Sequence, residues 1–180
     1  MALISHMARL GSSQPVELCT SLDEVVVGFD ITTFGAAPTK FDVQDLFPLT
    51  AHLLAQKPYT AVADPIRSLG VPDAIAEAFW LMARENITTL ADLAPWWALC
   101  RDGAEPLVAE DDREMVAAAF DLLPDPPFGP ESWADWTAAV KEATGRKGKG
   151  LFMPLRKALT GRERGPEMAA LMPLLQKVNR

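Results

Sequence analysis

Residues 131–161 read ESWADWTAAVKEATG RKGKG LFMPLRKALTG, two helix-length segments on either side of a short basic loop. In the first segment Trp133, Trp136 and Val140 recur at three- and four-residue spacing, the period of a helix that buries one stripe. Gly145 stops this helix, and a second helix is expected over Leu151–Thr160. The loop between them, Arg146–Gly150, holds three cations and two glycines. The spacing of the tryptophans makes them core residues rather than a stacking platform, and Phe152 and Met153 are expected in the core with them.

Both flanks continue this pattern. Gly161–Gly165 is a turn before a helix expected over Pro166–Val178. Upstream, PDPPFGP at 124–130 breaks the chain. Before it, Glu110-Asp111-Asp112 place negative charge in the first turn of a helix running to Leu123. The segment Leu90–Leu99 contains Pro95-Trp96-Trp97; two adjacent tryptophans on one helix turn cannot both point inward, so one is expected at a module boundary, with base stacking as its alternative role. Pro72 and Asp73 open a helix whose Ile75, Ala78, Phe79, Leu81 and Met82 are expected to face the core. Thr60–Leu69 closes on Gly70, and Asp42 can cap a helix to Gln56 that Pro48 would kink or divide. Ser21 and Glu24 form a capping-box pattern, and residues 2–10 put Leu3, Ile4, Met7 and Leu10 on one face, with Gly11 where a C-cap glycine belongs. No strand-type alternation exceeds a few residues. The chain reads as all-α.

A chain of 180 residues can bury a substantial core. Its 49% hydrophobic and 23% charged content fits a soluble globular protein, and its fifteen prolines fall mostly between candidate helices, as expected for short elements joined by stiff turns. Cys19 and Cys100 share no spacing motif, which favours a reducing compartment. No apolar run nears the roughly 18 residues of a membrane span, and MALISHMARLG lacks the pattern of a signal peptide. The expected location is cytoplasmic, without membrane contact.

Catalytic motifs are missing. Neither GxGxxG nor GxxxxGK[ST] occurs, and His6 and His52 have no second His or Cys at ligand spacing, so no metal site is expected. Nothing resembles a nucleophile elbow, and neither cysteine has a basic neighbour placed to activate it. No catalytic residue is assigned.

The charge is divided unevenly. The net value is −7, yet residues 1–144 carry −14 and residues 145–180 carry +7. A basic end on an acidic chain is a sign of polyanion binding, because phosphates are held by Lys and Arg and by helix N-termini. The candidates for RNA contact are Arg146, Lys147, Lys149, Arg156, Lys157, Arg162 and Arg164. For the 146–150 loop, phosphate contact competes with a merely solvated basic turn. Arg156 either stacks on or hydrogen-bonds an exposed base, or pairs with a carboxylate of the acidic remainder. The surplus acid of residues 1–144 is expected to face away from RNA and repel it from the wrong surface.

The run Met153-Pro154-Leu155-Arg156, with Ala158-Leu159-Thr160-Gly161 and then Pro166, resembles the C-terminal signature of bacterial glutamyl-tRNA synthetases. Ala2–Ile4 with Ala8–Ser12, Phe29-Asp30, Ala37-Pro38 and Phe41-Asp42 are similar to the segment that follows the KLSKR loop in that family. Phe79–Leu81, Leu90–Asp92 and Trp96-Trp97 form a third, weaker match. The matches are colinear and cover nearly the whole chain. The resemblance implies the end of the stem-contact region at 1–50, then two small helical anticodon-binding modules at 51–108 and 109–180. It also implies a partner, glutamate tRNA, with glutamine tRNA as a further candidate.

The HIGH-type and KLSKR motifs of the family are not in this sequence, so ATP and Mg would bind a catalytic domain that it lacks, and no cofactor is expected here. Leu49-Thr50 departs from the usual Leu-Asn of the family. A helical interaction or regulatory protein derived from the synthetase, binding a protein partner, is the competing expectation. The apolar face of residues 2–10 would lack its usual cover, so Leu3, Ile4 and Met7 are expected to be exposed; the chain is expected to be a monomer, with dimerisation through that face as the alternative.

Overall fold

A computed structural model describes all 180 residues, Met1–Arg180. Ten α-helices and several 3₁₀ turns make up the regular structure, and the one β-type contact is an isolated bridge between Ser12 and Phe34. The fold is all-α. None of the helices is long and apolar enough to cross a membrane.

The first helix, α1 (Ala2–Met7), is shorter than the apolar spacing suggests. Its buried residues are Ala2, Ser5 and His6, which face α3 (Leu46–Gln56), while Leu3, Ile4 and Met7 are about half exposed. Past Met7 the chain turns to let Arg9 donate to the Gly28 carbonyl, at the end of α2 (Leu22–Val27). The Ser21 hydroxyl accepts from the Glu24 amide at 3.2 Å, and Glu24 returns to the Thr20 amide at 2.7 Å, one residue earlier than a regular capping box. Asp42 caps a 3₁₀ turn, Val43–Asp45, and α3 follows it. Pro48 therefore lies in the first turn of α3, where a missing N–H breaks no helical bond and no kink is required.

The remaining chain forms the core. Gly70, in the left-handed region at φ +78°, separates α4 (Ala63–Ser68) from α5 (Asp73–Ala83). The inner face of α5 is Ala76, Phe79, Trp80, Met82 and Ala83, while Ala78 and Leu81, expected inside, lie on the exposed side. The buried stripe is thus rotated toward Trp80, whose indole N–H donates to the Lys57 carbonyl at 2.9 Å. That bond lets a tryptophan be fully buried without an orphaned donor.

Helix α6 (Leu93–Asp102) buries both Trp96 and Trp97, against expectation. The two side chains do diverge by about 100° around the helix, but α6 is covered on both sides. Trp97 packs edge-on to Phe79, ring centroids 5.7 Å apart, and Trp96 is covered by the distant turn that holds Arg162 and Gly165.

Helices α7 (Arg113–Asp121), α8 (Ser132–Thr144) and α9 (Lys149–Thr160) pack against one another. The indole N–H of Trp136 donates to the Ala119 carbonyl at 2.7 Å, tying α8 to α7. The helix expected over 166–178 is instead a short α10 (Met168–Leu171) followed by a 3₁₀ turn, because Pro173 has no N–H to continue the α-helical ladder. A single cluster of 31 buried apolar residues runs from Leu54 to Leu175, across the loop at 103–109. The loop packs tightly where its backbone crosses α9: the Leu107 amide donates to the Lys157 carbonyl at 3.1 Å.

Candidate nucleic-acid interface

The basic loop is built by two glycines in the left-handed region, Gly145 at φ +68° and Gly148 at φ +53°, which reverse the chain between α8 and α9. Helix α9 starts at Lys149, so Lys149 and Gly150 belong to its first turn. Lys147 and Lys149 stand exposed on either side of Gly148, beside the positive end of α9. Arg146 points the other way. Its guanidinium donates to the Asp112 carboxylate at 3.1 Å and to the Asp111 carbonyl at 3.0 Å, closing the start of α7 onto the loop.

Along α9, Leu151, Leu155, Ala158 and Leu159 form the buried stripe. Pro154 leaves the Gly150 carbonyl without its helical donor, at an exposed first turn where water can serve it. The side of α9 away from that stripe faces an open groove of about 420 Å³ lined by Trp133, Phe152, Met153, Arg156, Glu167 and Met168. Phe152, expected in the core, is 45% exposed and forms one wall. Trp133 is half-buried, set edge-on to Trp136 at 5.7 Å and tilted toward Phe152 at 6.3 Å. Arg156 spends one guanidinium nitrogen on the Pro166 carbonyl at 2.9 Å and lines the groove. It pairs with no carboxylate.

The cations beyond α9 divide in the same way. Lys157 forms an ion pair with Glu163 at 2.6 Å. The hydrogen bond from Lys157, followed by its charge and those of Arg164 and Lys149, holds the Glu163 carboxyl below its ordinary pKa. Lys149, Lys157 and Arg164 therefore share one electrostatic neighbourhood. The Arg162 guanidinium lies 4.3 Å above the centre of the Trp96 ring. Arg164 is exposed. Of the seven candidates, Lys147, Lys149 and Arg164 are open to solvent without an ion pair, Arg156 borders the groove, and Arg146, Lys157 and Arg162 each hold a contact within the protein.

The aromatic groove was not expected from the sequence. A signal for it exists: Phe152 lies one residue off the stripe set by Leu151, Leu155, Ala158 and Leu159, so a helix that buries those four turns Phe152 outward.

Residues 57–179 match the family model described as anticodon binding domain. The chain belongs to the anticodon-binding domain family. Its similarity extends beyond the matched span. Over 177 residues, 98% of the chain, it is 69% identical to a glutamate--tRNA ligase 2 of Dinoroseobacter shibae, covering 40% of that protein. Over 178 residues it is 66% identical to a glutamate--tRNA ligase 1 of Ruegeria pomeroyi, again covering 40% of the relative. This anticodon-binding domain and its flanking segments thus span about 40% of the length of those relatives. Its fold recurs in a crystal structure of glutamate-tRNA synthetase from Elizabethkingia anophelis, with a TM-score of 0.69 at 20% identity over 97% of this chain and 37% of that one. The family indicated by Met153–Gly161 is the one the comparisons return.

Proposed function

We propose that this chain grips the anticodon arm of a glutamate tRNA, as part of a glutamate--tRNA ligase whose other parts bind ATP, Mg and glutamate. The observation that carries the proposal is the groove beside α9, an aromatic-walled cleft with an arginine on its rim, on the helix whose first turn carries the exposed Lys149. Anticodon loops present unstacked bases, and such bases are bound by stacking on aromatic rings and guanidinium planes and by hydrogen bonds to their edges. In this proposal Trp133, Phe152 and Arg156 receive a base. Lys147, Lys149 and Arg164 neutralise neighbouring phosphates. Arg146, Lys157 and Arg162 reach RNA only by giving up their present partners. The names of the relatives support glutamate tRNA as the partner, and the work would be done in the cytoplasm.

The test is a binding titration with a labelled anticodon stem-loop across a salt series. Arg156→Ala is expected to weaken binding about 5- to 100-fold, the loss of one stacked or hydrogen-bonded base. Lys149→Ala and Arg164→Ala are each expected to flatten the slope of log affinity against log salt by about 0.7 to 0.9. Unchanged affinity in the first variant and unchanged slopes in the others would contradict the proposal and favour a protein partner for this surface.

A further inference from the structure

Arg162 is unlike the other six cations, because its guanidinium lies over an aromatic ring far away in sequence. Its guanidinium carbon is 4.3 Å from the centre of the Trp96 ring, on α6. Trp96 is 5% exposed, and its indole N–H is directed at the Asn86 carbonyl at 3.4 Å. The same ring meets the other end of the Arg162 turn. A Cβ built on Gly165, at φ +154°, would stand 2.8 Å from Cη2 of Trp96, so only a residue without a side chain allows this approach. The next residue, Pro166, offers the carbonyl that accepts from Arg156 at 2.9 Å. At the near end, the Thr160 hydroxyl accepts from the Arg162 amide at 3.1 Å. One indole therefore contacts both ends of a short turn, and the far end of that turn anchors the arginine on the groove rim.

We propose that Trp96 and Arg162 are positioning residues: the stacked guanidinium pins the Gly161–Pro166 turn to α6 and thereby sets the orientation of Arg156 in the groove, instead of neutralising a phosphate. This rests on the anticodon-arm function proposed above and assigns Arg162 a different task within it. A cation over an indole face is held by the ring's quadrupole, more strongly when water is excluded, as it is around a nearly buried ring. Leaving that position for a phosphate would uncover Trp96 and free the turn.

The experiment uses the full chain and a labelled anticodon stem-loop across a salt series, with folding of each variant checked by thermal melting. Arg162→Ala and Trp96→Leu are each expected to weaken binding about three- to tenfold, as loss of one cation–π contact would. The salt slope is expected to stay at the wild-type value in both. In an Arg156→Ala background neither change should weaken binding further, since both act through Arg156, and Trp96→Phe should restore most of the affinity lost in Trp96→Leu. Arg162 is only partly buried and lies outside the apolar core, so its variants carry the test even if Trp96→Leu fails to fold. If Arg162→Ala flattens the salt slope by about 0.7 to 0.9, or loses affinity equally with and without Arg156, Arg162 is a phosphate contact and the proposal is overturned. A wild-type chain that does not bind the stem-loop at all overturns the anticodon-arm function and this proposal together.

Discussion

Cys100 shows how completely some side chains here are withdrawn from solvent. It is fully buried in α6, and burial pushes its thiol up to about 12. The thiolate is the reactive form, so Cys100 should be inert to thiol reagents in the native protein. Cys19 is half-buried. A disulfide-exchange reagent is expected to titrate one thiol before unfolding and two after; two equivalents from the native protein would place Cys100 in an opening segment.

The same contrast explains which single residues could be understood from the sequence. Gly145 stops a helix, as its position indicated, and does so in the left-handed conformation, whereas Gly11, placed to cap residues 2–10, caps none because α1 already ends at Met7. The partners of Arg146, Arg156 and Arg162 were not legible. Each is tied to a group that only the fold brings near: Asp112 is 34 residues from Arg146, Pro166 faces Arg156 across a turn, and Trp96 lies in another helix.

Among the elements, α5 to α9 lay close to where periodicity and breakers put them, and the differences have physical causes. Apolar spacing shows that a helix has an inner face but not how far neighbouring helices wrap it. Hence Leu81 lies outside while Trp96 and Trp97 are both covered. The start of α6 offers a test. Thr89 and Asp92 form a reciprocal capping box around the turn Leu90–Asp92, with the Asp92 carboxylate accepting from the amides of Thr88 and Thr89 at 2.8 Å each.

The hydrogen bonds donated by the Thr89 and Thr88 amides hold the Asp92 carboxyl below its ordinary value of 3.8. A folded-state pKa below the unfolded one means that this contribution is complete above the ordinary value and lost as pH falls through the lowered one. Asp92→Ala is expected to cost about 1 kcal/mol at neutral pH, the worth of a typical cap, and much less in strong acid. Equal destabilisation at both pH values, measured by denaturant unfolding, would show that the box contributes nothing through its charge. In α9, Leu155 is fully buried in the middle of the stripe, and Leu155→Ala is expected to cost roughly 2 to 5 kcal/mol.

In the molecule as a whole, stability is concentrated unevenly. The 31-residue apolar cluster draws every member from 54–175, whereas residues 1–47 bury only Ala2, Ser5 and His6 and expose Leu3, Ile4, Met7, Val26, Val27 and Ile31. Amides in the first 47 residues are therefore expected to exchange hydrogen well before those of α5, α6 and α9, which should open together. Uniform protection along the chain would contradict that division. The charge is uneven in the same way, with +7 confined to residues 145–180 of a chain whose net charge is −7. Attraction to RNA must then be local to the α9 surface and fall steeply as salt rises.

The measurement that bears on this most simply is a titration of the chain against glutamate tRNA and an unrelated tRNA, at low and moderate salt. Tighter binding to the glutamate tRNA, weakening as salt rises, is the expected result. Equal binding to both tRNAs, or none to either, would contradict an anticodon-arm grip by this chain.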